Sequence, residues 1–291
     1  MMTDIEEQQE CNTLILNNDI IKLIINTKEY AKLRGVSIAN TEPIKRIINM
    51  TAPELNVRNY TFLRVWPDFS IFMLSSDLRL IRSYVLKKLW KEDKVYSINS
   101  VEPIYNRLES FCQESKAAYE RIIHREHGFL PIVIEYDLGV CKDCHCFLLG
   151  VNDGRYRYQE LFNQLFDTVL YFYRQFREGD FKHQRVHYFT TEKMSKEHRY
   201  YDLSSTFSPY DELKEEYYLT NKNVDYIKLI ALGMSASQIA NTLNRSLRTV
   251  EKSVDAIRHK FRFDNRQQLD VFLQMFYKSK VKEHIRTKEM Y

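Results

Sequence analysis

Glycine is scarce in this chain, with seven among 291 residues, and a backbone so poor in glycine has few places for a phosphate-cradling loop. No P-loop, His-Glu-x-x-His helix or nucleophile elbow occurs, and no other catalytic constellation is found, so an enzyme is not expected. His124/His127 and His183/His187 have helix-face spacing and read as surface histidines. Glu135 and Asp137 alternate along a strand beside polar turns and need no catalytic role. Long apolar runs are also missing: nothing approaches the roughly 20 apolar residues of a spanning helix. The opening MMTDIEEQQE is acidic, the opposite of a secretory leader. Cysteines number five, an odd count. A reducing cytoplasm is the expected compartment, with no membrane partner, no cofactor and no resident metal.

What is present is a globular composition, 44% apolar and 28% charged, on a chain long enough for two domains. Net charge is only +4, but it is unevenly spread. Lys214–Tyr291 carries 15 Lys and Arg against 9 Asp and Glu, a local +6, behind a body of −2. A basic end behind an acidic body suits a polyanionic partner.

Periodicity divides the chain into an expected α+β region at 1–178, a linker at 179–216 marked by Ser204, Ser205, Ser208 and Pro209, and an all-helical region at 217–291. Helical spacing covers Ile15–Gly35, Leu78–Trp90, Ile104–Phe111, Lys116–His127 and Arg155–Phe176, the last with Leu161, Leu165, Val169, Phe172 and Phe176 on one stripe. Two strand pairs are expected, Val57–Leu74 turning at Pro67-Asp68 and a second pair broken between Gly139 and Asp143. The N-terminal region therefore reads as a small, mainly antiparallel sheet flanked by helices.

In the last region Thr220 opens a helix that buries Val224, Ile227, Ile230 and Ala231 and stops at Gly233. Ser235 and Gln238 form a capping box ahead of Ile239, Ala240 and Leu243. Asn244-Arg245 makes a corner, Ser246 caps the next helix, and Val250, Val254, Ile257 and Phe261 form its buried face. A fourth helix turns Leu269, Phe272, Leu273 and Phe276 inward, and a basic tail follows with Lys278, Lys280, Lys282, Arg286 and Lys288.

The anchors Leu219-Thr220, Gly233-x-Ser235, Ile239-Ala240-x-x-Leu243, Ser246-x-x-Thr249-Val250 and Asn265-Arg266 closely resemble the LuxR/FixJ-type (GerE-like) helix-turn-helix. That resemblance implies a bacterial transcriptional regulator that binds double-stranded DNA as a homodimer, with the Ser246–Lys260 helix in the major groove. Carried over, it places Glu251, Lys252 and Asp255 at the bases, with Arg248 and Thr249 near phosphates. Arg258, His259, Lys260, Arg262 and Arg266 supply further electrostatic contacts. Three residues depart from the pattern: Asn223 replaces an acid, Glu251 a frequent basic residue and Ser253 a frequent His. The two acids on the reading helix leave a rival open, a protein-interaction module that modulates another regulator without reading bases.

The resemblance also implies a regulatory N-terminal domain. A receiver pattern is not found, and YTFLRVWPDFS is similar to the autoinducer-binding or PAS-like sensors of LuxR-type regulators. The Trp and Asp spacing for an acyl-homoserine lactone is missing. Tyr60, Phe62, Trp66, Phe72, Tyr84, Trp90 and Tyr136 fit either the lining of a small-molecule pocket or an aromatic-rich core, so the signal is a small molecule or a protein partner. In CKDCHC, Cys141, Cys144 and Cys146 read as reduced thiols on a hairpin, with metal or redox chemistry as the alternative.

Overall fold

A helix over 41–51 (α1) leads into β1 (Val57–Val65) and β2 (Ile71–Ser75) of the computed structural model, which describes residues 41–68, 70–87, 89–97, 101–123, 129–150, 157–175 and 207–289. Next come α2 (Leu78–Leu86), β3 (Tyr105–Asn106), α3 (Gln113–Ile123), β4 (Phe129–Asp137), β5 (Lys142–Gly150) and α4 (Tyr158–Gln175). Five further helices follow: α5 (Asp211–Glu216), α6 (Asn221–Ala231), α7 (Ala236–Thr242), α8 (Leu247–Lys260) and α9 (Arg266–Glu289). The helix expected over Ile15–Gly35 and the residues Phe176, His124, His127, His183, His187, Ser204 and Ser205 lie outside the described residues.

The strands form one antiparallel sheet in the order β2-β1-β5-β4-β3. The helix expected over Ile104–Phe111 is instead β3 followed by a 3-10 turn, Arg107–Ser110. Its cause is local: the Asn106 side chain accepts from Leu108 N at 3.0 Å, which closes a tight turn in place of an α-helical one.

All nine residues of β5 are buried because both faces of the sheet are covered. Side chains alternate strictly. Tyr60, Phe62, Phe72, Leu74, Ile132, Ile134, Phe147 and Leu149 join one cluster with α4 and the C-terminal helices. Leu63, Val65, Ile71, Met73, Val133, Cys144, Cys146 and Leu148 join the other with Ile81 of α2 and Tyr119 and Ile123 of α3.

Polar residues in the sheet are paired across strands. On the α4 side, Arg64 donates to both carboxylate oxygens of Asp143 at 2.6 and 2.7 Å, and Tyr173 Oη donates to Asp143 at 2.7 Å. His145 bridges the hydroxyls of Tyr60 (2.7 Å) and Tyr173 (3.1 Å). Burial, and then the neighbouring Arg64, hold its imidazole down at about 3. On the opposite face Lys142 donates to Glu135 at 2.9 Å, and Tyr105 Oη donates to the same carboxylate. Arg107 and Tyr84 both donate to Asp93.

The C-terminal helices share the first cluster without a break. Tyr277 of α9 stacks on Phe166 at 5.9 Å and meets Tyr136 at 5.6 Å, and Val281 and Ile285 are buried beyond it. Lys228 of α6 pairs with Asp137 at the β4–β5 turn. Gln238 Nε2 of α7 donates to the Tyr173 carbonyl at 2.5 Å. The basic tail continues α9, with Lys278 on Asp167, Lys280 on Glu212 and Lys288 on Glu102.

Candidate nucleic-acid interface

Helix starts in the C-terminal region follow from its short polar residues. Thr220 Oγ1 accepts from Asn223 N at 3.2 Å while Asn223 Oδ1 accepts from Thr220 N at 3.0 Å. Asn223 thus completes a capping box where the related pattern has an acid. Ser235 and Gln238 close a second box. Ser246 accepts from Thr249 N at 3.1 Å and starts α8.

The helix ends share one solution as well. Tyr218, Gly233, Asn244 and Arg262 all take positive φ. Each is followed by an amide that reaches back five residues: Leu219 to Lys214, Met234 to Leu229, Arg245 to Ala240 and Phe263 to Arg258. This is the Schellman ending. Glycine fills only one of the four left-handed positions, so the chain accepts a steric cost of about 1–2 kcal/mol at a non-glycine residue in each of the others.

Between α7 and α8 lies the turn of the helix-turn-helix. Val250, Val254 and Ile257 bury one face of α8, and Phe261 extends it. At 100° per residue the opposite face carries Arg248, Lys252, Asp255 and His259 as a stripe, with Thr249, Glu251 and Lys260 on its flanks, all of them exposed. No described element covers this surface, since the contacts with the sheet region come from α6, α7 and α9.

The basic residues divide by what they touch. Arg258, Lys260 and Arg266 are engaged within the protein. Arg258 donates to Asp255 Oδ1 at 2.6 and 3.0 Å and to the carbonyls of Phe263 and Asp264 at 2.7 and 2.9 Å. Lys260 donates to the Tyr218 carbonyl at 2.6 Å, and Arg266 to Asp270 and the Met234 carbonyl. Arg245, Arg248 and Lys252 project into solvent, and among the described residues their side chains make no hydrogen bond or ion pair. Arg262 is also exposed.

The two acids differ too. Asp255 Oδ1 takes both Arg258 bonds, and Oδ2 lies 3.5 Å from His259 Nε2. The Arg258 hydrogen bonds lower the Asp255 carboxyl below its ordinary range. Glu251 is exposed with no hydrogen bond or ion pair among the described residues. Ser253, in the place of the family's frequent His, donates to its own helix at Thr249 O, 2.9 Å.

The aromatic set singled out from the sequence does not gather at one place. Tyr60, Phe62, Phe72 and Tyr136 lie on the α4 face, with the half-buried Trp66 packed against the same cluster, while Tyr84 and Trp90 lie on the other. A cavity beside Asn59, Thr61, Arg107, Tyr119 and Cys146 measures about 10 Å³, room for about one water, and none of the seven aromatics lines it. The three thiols also diverge: Cys141 packs on the α4 side, Cys144 and Cys146 on the opposite face. Cys144 donates to the Val95 carbonyl, and burial pushes the Cys146 thiol up to about 12. Among the described residues there is no disulfide and no group of three metal-ligating side chains. Nor is any helix there long and apolar enough to cross a membrane.

The buried networks have little signature in the sequence. Arg64 and Asp143 lie 79 positions apart, and only strand register brings them together. The one available signal was a run of charged and polar residues, Lys142 to His145, inside an otherwise apolar strand.

Residues 218–273 match the family described as "GerE: Bacterial regulatory proteins, luxR family". This segment is a LuxR-family domain. It takes in α6, α7, α8 and the first third of α9, and leaves the other two thirds of α9, with Phe276, Tyr277 and the basic residues after them, outside. No curated protein matches the chain. A crystal structure of Escherichia coli SdiA is 12% identical and covers 84% of this chain and 95% of that one, with a TM-score of 0.34. A structure of SdiA in complex with octanoyl-rac-glycerol is 13% identical over 84% of this chain and 93% of that one, with a TM-score of 0.33. At these TM-scores neither likeness bears on function.

Proposed function

We propose that this protein is a transcriptional regulator that binds double-stranded DNA through its LuxR-family domain, with α8 in the major groove. The observation that carries this reading is the outward stripe of α8: exposed, and bearing Arg248 and Lys252, which have no hydrogen-bond or ion-pair partner among the described residues. Lys252 and Glu251 face base edges, while Arg245, Arg248, Thr249, His259 and Arg262 lie along the phosphates. Arg258, Lys260 and Arg266 act by holding α8 and the turn after it. The protein works as a dimer, and Val271 and Met275, exposed one turn apart on α9, support α9 as the contact between copies.

The region before residue 179 is the regulatory part. Its signal is a small molecule or a protein partner, read through a sheet whose two faces carry separate buried clusters. A selection from genomic fragments with the full chain tests the main reading. Salt-sensitive retention of a defined sequence set is expected; no salt-sensitive binding to any fragment would leave the protein-interaction module as the surviving reading.

A further inference from the structure

We propose that Glu251 is the one acid of α8 that reads a base, and that the base is cytosine. The assignment rests on the DNA-binding reading above and adds a base identity to it. Both acids of α8 lie on its solvent side, but they are not equivalent. Asp255 stands in the third turn with one oxygen holding two Arg258 bonds and the other facing His259. Arg258 is itself tied to the Phe263 and Asp264 carbonyls, so it is not released to DNA without opening the end of α8. Glu251 is one turn nearer the start of the helix, where base edges are reached first. Its carboxylate has no partner among the described residues.

An ionised carboxylate beside DNA is repelled by phosphates unless a base donor meets it. It is acceptor-only. In the major groove, donors come from cytosine N4 and adenine N6, and adenine sets the N7 lone pair next to its donor. Cytosine has no such neighbour, so a carboxylate is best matched there. Lys252 follows 100° further round the helix and offers donors suited to the N7 and O6 of guanine. Together they recognise one or two G·C pairs in each half-site, Glu251 setting the cytosine and Lys252 the guanine.

The test is selection from randomised double-stranded DNA with the full-length wild type, E251A, E251Q and D255N, each first checked for salt-sensitive DNA retardation. The wild type is expected to show a cytosine position that E251A loses, discrimination there falling about tenfold, without weaker overall affinity. E251Q moves the same position towards adenine, because a carboxamide pairs with N6 and N7. D255N keeps the wild-type profile. An unchanged profile in E251A, or a loss that appears in D255N instead, overturns the assignment, as does salt-sensitive binding with no sequence preference at all. Absence of any retardation by the wild type is a different failure and removes the DNA-binding reading itself.

Discussion

The sheet and α8 handle charge in opposite ways. In and beside the sheet, Arg64 meets Asp143, Lys142 meets Glu135 and, between two 3-10 turns, Arg107 meets Asp93, each carboxylate fully buried and each cation at most 8% exposed. Every one of these carboxylates accepts at least one further bond, from Tyr173, Tyr105 or Tyr84. On α8, Arg248, Glu251 and Lys252 stand in solvent with no such arrangement among the described residues. Buried charge must be matched within the protein because its desolvation is otherwise uncompensated. Exposed charge needs no internal match, so where it stays unmatched on an ordered helix it is available to a partner. Arg258 shows why sign alone is a poor guide: it lies on the same helix as Arg248 and serves the fold.

The contrast can be broken at the sheet first. Arg64→Met leaves Asp143 buried without its cation and is expected to cost about 3–5 kcal/mol, read from the urea midpoint. DNA affinity per folded molecule should stay as it is. Tyr277→Ala empties a ring from the layer joining α9 to the sheet and should cost about 3 kcal/mol. Both tryptophans, Trp66 and Trp90, lie in the sheet region, so a shift in the fluorescence transition would confirm that α9 and the sheet unfold together. Separate transitions would sever them.

A third prediction concerns pH. His145 is held neutral down to about 3 in the fold, against about 6.5 in an unfolded chain. Between those values the unfolded state binds the extra proton. Stability therefore falls as pH drops through that window, by about 1.4 kcal/mol per unit from this residue. His145→Gln should flatten the slope in acid unfolding. The smallest stability effects belong to α8: Arg248→Ala and Lys252→Ala should stay within about 0.5 kcal/mol of wild type. Arg248→Ala should lower the salt slope of DNA binding by about 1, and Lys252→Ala should relax one base position. If either variant unfolds the protein as Arg64→Met does, α8's charges are structural after all.

Local structure was readable where neighbours in sequence decide it. Thr220, Ser235 and Ser246 start their helices by bonding amides three residues on, and the Val250–Val254–Ile257 stripe needs only the helical repeat. The strand pairs, their turns and the long α4 were legible for the same reason. Features set at longer range, or by too short a run, were not. The 3-10 turn at Arg107–Ser110 resembled a helix because apolar spacing over eight residues does not separate the two. The docking of the basic tail after Phe276 was not legible because its carboxylates, Glu102, Asp167 and Glu212, come from far along the chain.

By itself, then, the sequence determined the helix-turn-helix: its caps, its buried stripe and the residues it turns outward, all set by contacts within a few positions. Tertiary structure alone decided which charges remain for a partner. Pairing of Arg64 with Asp143, of Lys288 with Glu102 and of Lys260 with the Tyr218 carbonyl depends on strand register and helix docking. Those distances close only when the whole core has formed, and the cations then left exposed and unpaired among the described residues, Arg248 and Lys252, mark the surface that meets DNA in the proposed function.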